Sequence, residues 1–382
     1  MASDSGAAFY EFFAGGGLAR LGLAGRFACR FANDIDSAKA SAYRAAFGDA
    51  QFRQGDVGAL GAGDLPGRAA LAWASFPCQD LSLAGARGGL DAPRSGAFWG
   101  FWRLIEALDA EGRAPPLIAL ENVCGLLTSR EGRDFTALIG ALAARGYRAG
   151  ALEIDAAHFT PQSRPRLFIV AARDGLPASL AAPGPLAPFH SAGVIAAAAR
   201  LPAPLRAHWI WWRLPAPPAR NAVLADILED PPEGAAWRTA AQTERLLAQM
   251  SPLHLSRVNG LRGAGGPHVG GVFRRIRIEN GVRVQRAEAR FDGLAGCLRT
   301  PAGGSSNQTL LFIEGAQTRS RLMTPREAAR LMGAPDEFPL PAGRTAALHL
   351  LGDAVCVSAV RWLSDHLLGP LSQAHAPALS VA

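Results

Sequence analysis

Short apolar runs alternate with amphipathic stretches through the first 175 residues, and the two periods predict different elements. The apolar runs predict strands at 8–13, 26–32, 71–75, 117–120, 147–154 and 167–171, with a further short strand ahead of Gly55-Asp56-Val57. Helical spacing between them predicts helices at 37–47, 97–109 and 134–145. Strands alternating with helices build an α/β fold, here a doubly wound, mostly parallel sheet. The last two strands are joined by the polar loop 158–166 with no helix between them, which predicts an antiparallel hairpin at the sheet edge.

The pattern weakens after Gly175. The chain turns rich in Pro and Ala as far as Pro218, with Trp209, Trp211 and Trp212 close together, and shows few periodic elements until residue 271. There Arg274, Arg275, Arg277, Arg283, Arg286 and Arg290 alternate with β-formers such as Val272, Ile276 and Val284, which predicts a basic β-ribbon over 271–291. This ribbon belongs to a second, smaller, irregular β-containing domain. Thr324-Pro325-Arg326-Glu327 is a helix start, with Thr as N-cap, Pro in the first turn and Glu at the third position. A final helix is expected over 354–368.

The full chain has 382 residues, a net charge of +7 and a pI near 9.8, with Lys39 its one lysine. Excess positive charge favours a polyanionic partner. The cysteines, Cys29, Cys78, Cys124, Cys297 and Cys356, are odd in number, widely spread and free of any CxxC pair. That argues against a disulfide framework and against a metal site. No run of 18 apolar residues and no basic-then-apolar N-terminal pattern occurs, so the expectation is a cytoplasmic protein with no membrane association.

Phe13-Ala14-Gly15-Gly16-Gly17 follows the first strand and precedes a helix, where glycines let the backbone turn sharply and approach a ligand. Asp34 ends the second strand, where a carboxylate can hold ribose hydroxyls, and Asp56 follows the third. These features indicate a nucleoside-containing cofactor but do not separate a dinucleotide from S-adenosyl-L-methionine. Ser75-Phe76-Pro77-Cys78-Gln79 follows the fourth strand, Glu121-Asn122-Val123 the fifth, and Gln162-Ser163-Arg164-Pro165-Arg166 opens the last. A doubly wound sheet would bring all three to one rim beside the glycine loop.

In this order, with Thr324–Gly333 and Gly352-Asp353-Ala354-Val355, the set resembles the DNA (cytosine-5)-methyltransferases of bacterial restriction–modification systems, over roughly residues 8–366. The resemblance implies an S-adenosylmethionine-dependent methyltransferase sheet over residues 1–176, a target-recognition domain over 177–318, and a C-terminal segment, 319–382, returning to the catalytic domain. It implies that Cys78 is the nucleophile, that Glu121 contacts ring nitrogen 3 and the exocyclic amine, and that Arg166 binds the ring carbonyl with support from Arg164. It implies a cofactor site of Phe13, Gly15, Gly17, Asp34, Ile35, Asp56, Val57 and Asp353. Phe13 and Ile35 would flank the adenine, Asp34 hold the ribose and Asp56 the adenine amine.

Gln79, Ser82 and Arg94, on a loop closing over the site, and Arg274, Arg275, Arg299, Gly303 and Gly304 of the recognition domain would touch double-stranded DNA. Two positions depart from the family pattern: Asp34 replaces the usual Glu, and Asp353 the usual Asn. A functional partnership with a cognate restriction endonuclease and a monomeric state also follow from the resemblance. A tRNA cytosine-5 methyltransferase, which shares the catalytic motifs, is the alternative.

Overall fold

The computed structural model describes residues 6–77, 96–173, 175–233, 235–300 and 308–375. The chain divides into two compact units, one of residues 1–155, 165–217 and 357–382 and the other of residues 156–164 and 218–356.

The first unit is built on β1 (Ala7–Phe12), α1 (Leu18–Leu23), β2 (Phe27–Asp34), α2 (Ser37–Phe47), β3 (Phe52–Gln54), β4 (Leu71–Ala74), α3 (Ala97–Ala110), β5 (Leu117–Asn122), α4 (Arg133–Ala144), β6 (Arg148–Asp155) and β7 (Pro165–Ala172). The sheet order is β3-β2-β1-β4-β5-β7-β6. β1 to β5 are mutually parallel, while β7 runs antiparallel to both neighbours. Alternation along β1 sends Tyr10 and Phe12 into a core with Phe101 and Leu104 of α3 and Leu138 of α4. Glu11, between them, faces the opposite way, onto α1 and α2. Helices therefore cover both faces, and a sheet buried on both sides explains the nearly continuous apolar runs of its strands. The unit continues with β8 (Ala181–Ala182) paired to β9 (Trp211–Trp212), and with α5 (Ala192–Arg200) and α6 (Ala203–Arg206).

The second unit holds α7 (Ala240–Ala248), α8 (Pro252–Ala264), β10 (Pro267–Glu279), β11 (Val282–Arg290), β12 (Thr309–Glu314), β13 (Gln317–Leu322), α9 (Pro325–Leu331) and α10 (Arg344–Asp353). Its antiparallel sheet has the order β11-β10-β12-β13. Leu246, Leu247 and Met250 of the α7 segment and Val258 of α8 pack on Val272, Ala287, Ala289 and Leu311 of the sheet. Helices α7 and α8 lie where sequence periodicity showed little. Their starts carry legible signals all the same: Thr239 and Gln242 form a reciprocal cap, and Ser251-Pro252 opens α8.

The basic ribbon is a hairpin of β10 and β11, turned by Asn280 (φ 52°) and Gly281 (φ 79°). Left-handed dihedrals at both central residues match the twist of the flanking strands, which is why Asn-Gly suits this turn. The Thr324 cap forms as expected: Glu327 N donates to Thr324 Oγ1 at 3.1 Å and Thr324 N to Glu327 Oε2 at 2.8 Å. The chain returns to the first unit only with α11 (Val357–Leu363) and α12 (Gly369–His375), joined by a π turn over Ser364–Leu368.

The final helix expected over 354–368 forms, starting at Val357 and running on through the π turn to His375, while α10 is a separate helix that ends at Asp353. The expected domain bounds are drawn differently: 319–356 packs with the smaller unit, where β13 completes the second sheet, and 177–217 with the larger, where Ala149 N donates to His208 O and Trp212 Nε1 to Val170 O. The stretch Arg344–His375 has the length and hydropathy of a membrane-crossing helix, but it is broken as described and 56% of its most apolar window is buried.

Candidate active site

Parallel strands β1 to β5 all end at one rim. The glycine loop follows β1, Asp34 ends β2, Asp56 follows β3, Ser75-Phe76-Pro77 leads out of β4, and Glu121-Asn122 ends β5. β7 is antiparallel to β5, so its first residues start at that rim: Leu167 lies opposite Asn122 and Phe168 opposite Glu121. This reversal is what brings Arg166 to Glu121, with Nε 3.4 Å from Oε1; Glu121 is 6% exposed. The order β1-β4-β5 sets the exit of β4 between the glycine loop and this pair.

Cys78 itself lies outside the described residues, as do Gln79, Ser82, Arg94, Gly303 and Gly304. The segment leading to Cys78 is fixed by a residue not singled out from the sequence. Asn122 Nδ2 donates to the carbonyl of Phe76 at 3.0 Å, and its Oδ1 accepts from Val123 N at 2.9 Å. The strand carrying Glu121 is thus tied to the strand leading to Cys78.

At the glycine loop, Phe13 (φ 56°), Gly15 (φ 56°) and Gly17 (φ 81°) are all left-handed. A Cβ on Gly17 would stand 2.4 Å from the Phe47 ring, whereas one on Gly15 would meet nothing within 4 Å. The first glycine position faces open space and the last faces packed protein. Asp34 is 7% exposed and braces the loop, Oδ2 accepting from Gly15 N at 2.8 Å and Oδ1 from Asp36 N at 2.9 Å. Ile35 beside it is 67% exposed, and Asp56, also exposed, caps Gly58 N at 2.9 Å. An open glycine turn, a braced carboxylate and an exposed aliphatic side chain fit a nucleoside-bearing ligand. Val57 departs from the expected set: it is 4% exposed and packs in the core, so its side chain is not available to a ligand.

Beneath the loop sits a buried polar cluster that sequence reasoning passed over. Glu11, fully buried, accepts from Arg20 N at 3.3 Å and from the Tyr43 hydroxyl at 3.3 Å, and Arg20 Nη1 donates to that hydroxyl at 3.1 Å. Burial pushes the Glu11 carboxyl up to about 8, against the opposing pull of Arg20. Burial also pushes the Cys29 thiol up to about 12, with Glu11 adding to the effect, and Cys124 likewise, with Glu153 adding there. A thiol so raised is a poor nucleophile, which removes Cys29 and Cys124 from contention.

Arg164 is placed otherwise than expected. It is 2% exposed in the second unit, where it donates to the carbonyls of Leu298 (2.7 Å), Gly352 (2.9 Å) and Ala354 (2.6 Å). Gln162, fully buried, donates to Leu331 O and accepts from Leu298 N, both at 3.0 Å. The first half of the Gln-x-Arg-x-Arg motif is therefore an internal staple of the second unit, and Arg166 alone joins the carboxylate pair. Asp353 is exposed at the end of α10, and Arg299 is exposed on the segment stapled by Gln162. Arg275 stands 3.7 Å from Glu288 and over the Phe273 ring, so part of its charge is already matched. Among the described residues, no cluster of His, Cys, Asp and Glu could hold a metal ion.

A parallel sheet with one inserted antiparallel strand, a glycine turn after β1 and a braced carboxylate after β2 define the class: an S-adenosyl-L-methionine-dependent methyltransferase. The fold matches that of the S. pombe Dnmt2 methyltransferase with a TM-score of 0.56 at 19% identity, covering 96% of this chain and 99% of that one. The Type II methyltransferase M.NlaX of Neisseria lactamica is 26% identical over 95% of this chain and 96% of its own length. M.HpaII of Haemophilus parainfluenzae is 27% identical over 95% of this chain and 89% of its own. The model of the C-5 cytosine-specific DNA methylase family matches residues 7–368. The chain belongs to that family: it is a DNA cytosine-5 methyltransferase, with S-adenosyl-L-methionine as methyl donor.

Proposed function

We propose that the enzyme methylates a cytosine flipped out of double-stranded DNA at a specific sequence, through a transient bond from Cys78 Sγ to ring carbon 6. The observation that carries this reading is the pairing of the buried Glu121 with the partly exposed Arg166 at the rim where β4 ends.

Carbon 5 of cytosine is too weak a nucleophile to take a methyl group unaided. Addition of the Cys78 thiolate to carbon 6 converts the ring to an enamine and makes carbon 5 nucleophilic. A free thiol has a pKa of about 8.5, so a cationic neighbourhood such as that of Arg166 favours the thiolate. Glu121 holds ring nitrogen 3 in its protonated form and contacts the exocyclic amine, and Arg166 binds the ring carbonyl; both draw electron density away from carbon 6. The cofactor supplies an electrophilic methyl group. Once carbon 5 carries it, a base takes the carbon 5 proton and the carbon 6–sulfur bond breaks, returning Cys78. Carbon 6 is out of reach inside a duplex, which is why the base must leave the stack.

Phe13 and Ile35 flank the adenine, Asp34 holds the ribose, Asp56 the adenine amine, and Gly15 gives the open approach; Asp353 is a further contact. Arg164 acts as a positioning residue through its grip on the second unit. That unit supplies target recognition, with Arg274, Arg275, Arg299, Gly303 and Gly304 at the DNA. Gln79, Ser82 and Arg94 close over the flipped base. The relatives' description as Type II methyltransferases supports a cognate restriction endonuclease as functional partner; the reading further takes the enzyme as a monomer acting on DNA in the bacterial cytoplasm.

The test is trapping on duplex DNA carrying 5-fluorocytosine, where carbon 5 has no removable proton and the Cys78 adduct persists. We expect a covalent complex with the wild type and none with Cys78→Ala, which still binds DNA. Active enzyme that traps no adduct would refute the mechanism. Methyl transfer to tRNA and not to duplex DNA would replace the substrate.

A further inference from the structure

Among the described residues, β12 pairs with β10 only as far as Val272, and residues 273–279 and 282–288 continue as a two-stranded ribbon. At about 3.3 Å per residue it projects about 20 Å. Register separates its two faces. One carries Phe273, Arg275, Arg277 and Glu279 opposite Glu288, Arg286, Val284 and Val282. This face neutralises itself: Arg277 pairs with Glu288, Arg275 stands 3.7 Å from Glu288, and Arg286 pairs with Glu279. The other face carries Arg274, Ile276 and Ile278 opposite Ala287, Gln285 and Arg283.

The second face continues the core-facing side of the sheet. Val272, Ala287 and Ala289 are buried against α7 and α8, but further out Ile276 is 51% and Ile278 76% exposed. Two isoleucines at the inward-facing positions of a strand, left in solvent, form an apolar surface suited to a partner. Charge identifies the partner's chemistry. Residues 273–288 hold five Arg and two Glu, a net charge of +3. Arg274 also lies close enough to Arg238 to help lower that guanidinium's pKa, after burial, so like charges converge at the ribbon's root. An anionic partner relieves this.

We propose that the ribbon enters the major groove of the target duplex with the Arg274–Ile276–Ile278 face inward, and that Ile276, Ile278, Arg283 and Gln285 help set sequence preference. A major groove about 12 Å wide admits a two-stranded ribbon, and its base edges offer thymine methyls to aliphatic side chains, adenine edges to Gln and guanine edges to Arg. The self-paired face, with Arg275, is turned from the base edges, so Arg275 meets the duplex through its phosphates. The inference rests on the DNA methyltransferase reading and names the element that does the reading.

The test maps methylation by bisulfite sequencing after in vitro reaction, and measures affinity for the mapped duplex across salt concentrations, with S-adenosylmethionine affinity as a check on folding. For Ile276→Ser/Ile278→Ser and for Gln285→Ala we expect a relaxed or altered motif and about a tenfold loss in preference over off-target duplex, the scale of one mismatched base pair. If Arg283 contacts phosphate as well as base, Arg283→Ala lowers the log–log salt slope by about 0.9. Glu279→Ala/Arg286→Ala, on the other face, leaves the motif unchanged. The proposal is overturned if the inward-face variants keep the wild-type motif and affinity, or if the outward-face double variant changes the motif as much. It is also overturned if the wild type is a dimer that Ile276→Ser/Ile278→Ser dissociates with DNA affinity intact, because a second copy then covers the isoleucines. Wild-type enzyme that methylates no duplex at all sinks the underlying reading instead.

Discussion

Asn122 offers the sharpest test of how the strand ends cooperate. Its amide donates to Phe76 O at 3.0 Å, and both residues are buried, at 5% and 4% exposure. Asn122→Ala strands the buried Phe76 carbonyl, at about 1–3 kcal/mol. Phe76 lies two residues before Cys78, so that strain falls on the nucleophile's approach. The cofactor loop after β1 is bonded to β2 through Asp34, and stays intact. If the whole penalty is felt in the transition state, kcat falls about 10- to 100-fold, since about 1.4 kcal/mol is a factor of ten.

Asn122→Asp sharpens the case. An ionised carboxylate facing the Phe76 carbonyl repels it, whereas the protonated acid can donate as the amide does. Its activity relative to wild type should therefore rise as pH falls. The assay is labelled-methyl transfer to duplex DNA, with calorimetric S-adenosylmethionine binding beside it. A kcat within twofold of wild type for a folded Asn122→Ala, or a loss confined to cofactor affinity, would refute the reasoning.

Three further outcomes follow from buried groups. The Glu11 carboxyl is raised from 4.5 to about 8, so between those values the folded state holds a proton that the unfolded state releases. Stability therefore falls as pH rises through that window, and Glu11→Gln should flatten the decline of Tm between about pH 5 and about pH 8; parallel curves would exclude the linkage. Glu327 receives both arms of the Arg321 guanidinium (2.8 and 2.6 Å) and also the Glu229 amide at 3.0 Å. Glu327→Ala, leaving a buried cation unpaired, should cost about 3–5 kcal/mol in urea unfolding of the second unit, while Arg321→Met/Glu327→Leu recovers part of it; a single-variant loss under about 1 kcal/mol would contradict this. Gly17→Ala, with its Cβ 2.4 Å from Phe47, should misfold the loop and lower Tm. Gly15→Ala carries only the left-handed penalty of about 1–2 kcal/mol, and its new methyl group stands in the ligand's approach. Equal Tm values for the two variants would overturn the distinction.

Much of the first unit could be read along the chain. Each apolar run predicted there forms a strand, and the hairpin without a helix is the antiparallel pair β6–β7. The reason is that a sheet covered on both faces writes its strands as continuous apolar runs. The second unit was less legible. Helix α8 shows one buried side chain, Val258, so no helical period stands out there.

Roles were legible where residue type alone limits the chemistry, and less so where partners decide. Arg164 and Arg166 stand two apart with the same side chain. One ends among three carbonyls of the second unit and the other beside Glu121. Arg274 and Arg275 are adjacent, yet the hairpin register turns them to opposite faces, and Arg275 shares its face with Glu288. Sequence by itself determined the family, the fold class and the order in which the chemical groups appear, because glycine turns, strand periodicity and a Pro-Cys-Gln motif are local properties of the chain. Which guanidinium is a clamp, which carboxyl is held protonated and which isoleucine stays in water were decided only by tertiary structure, because burial and pairing depend on residues distant in sequence that the fold brings within a few ångströms.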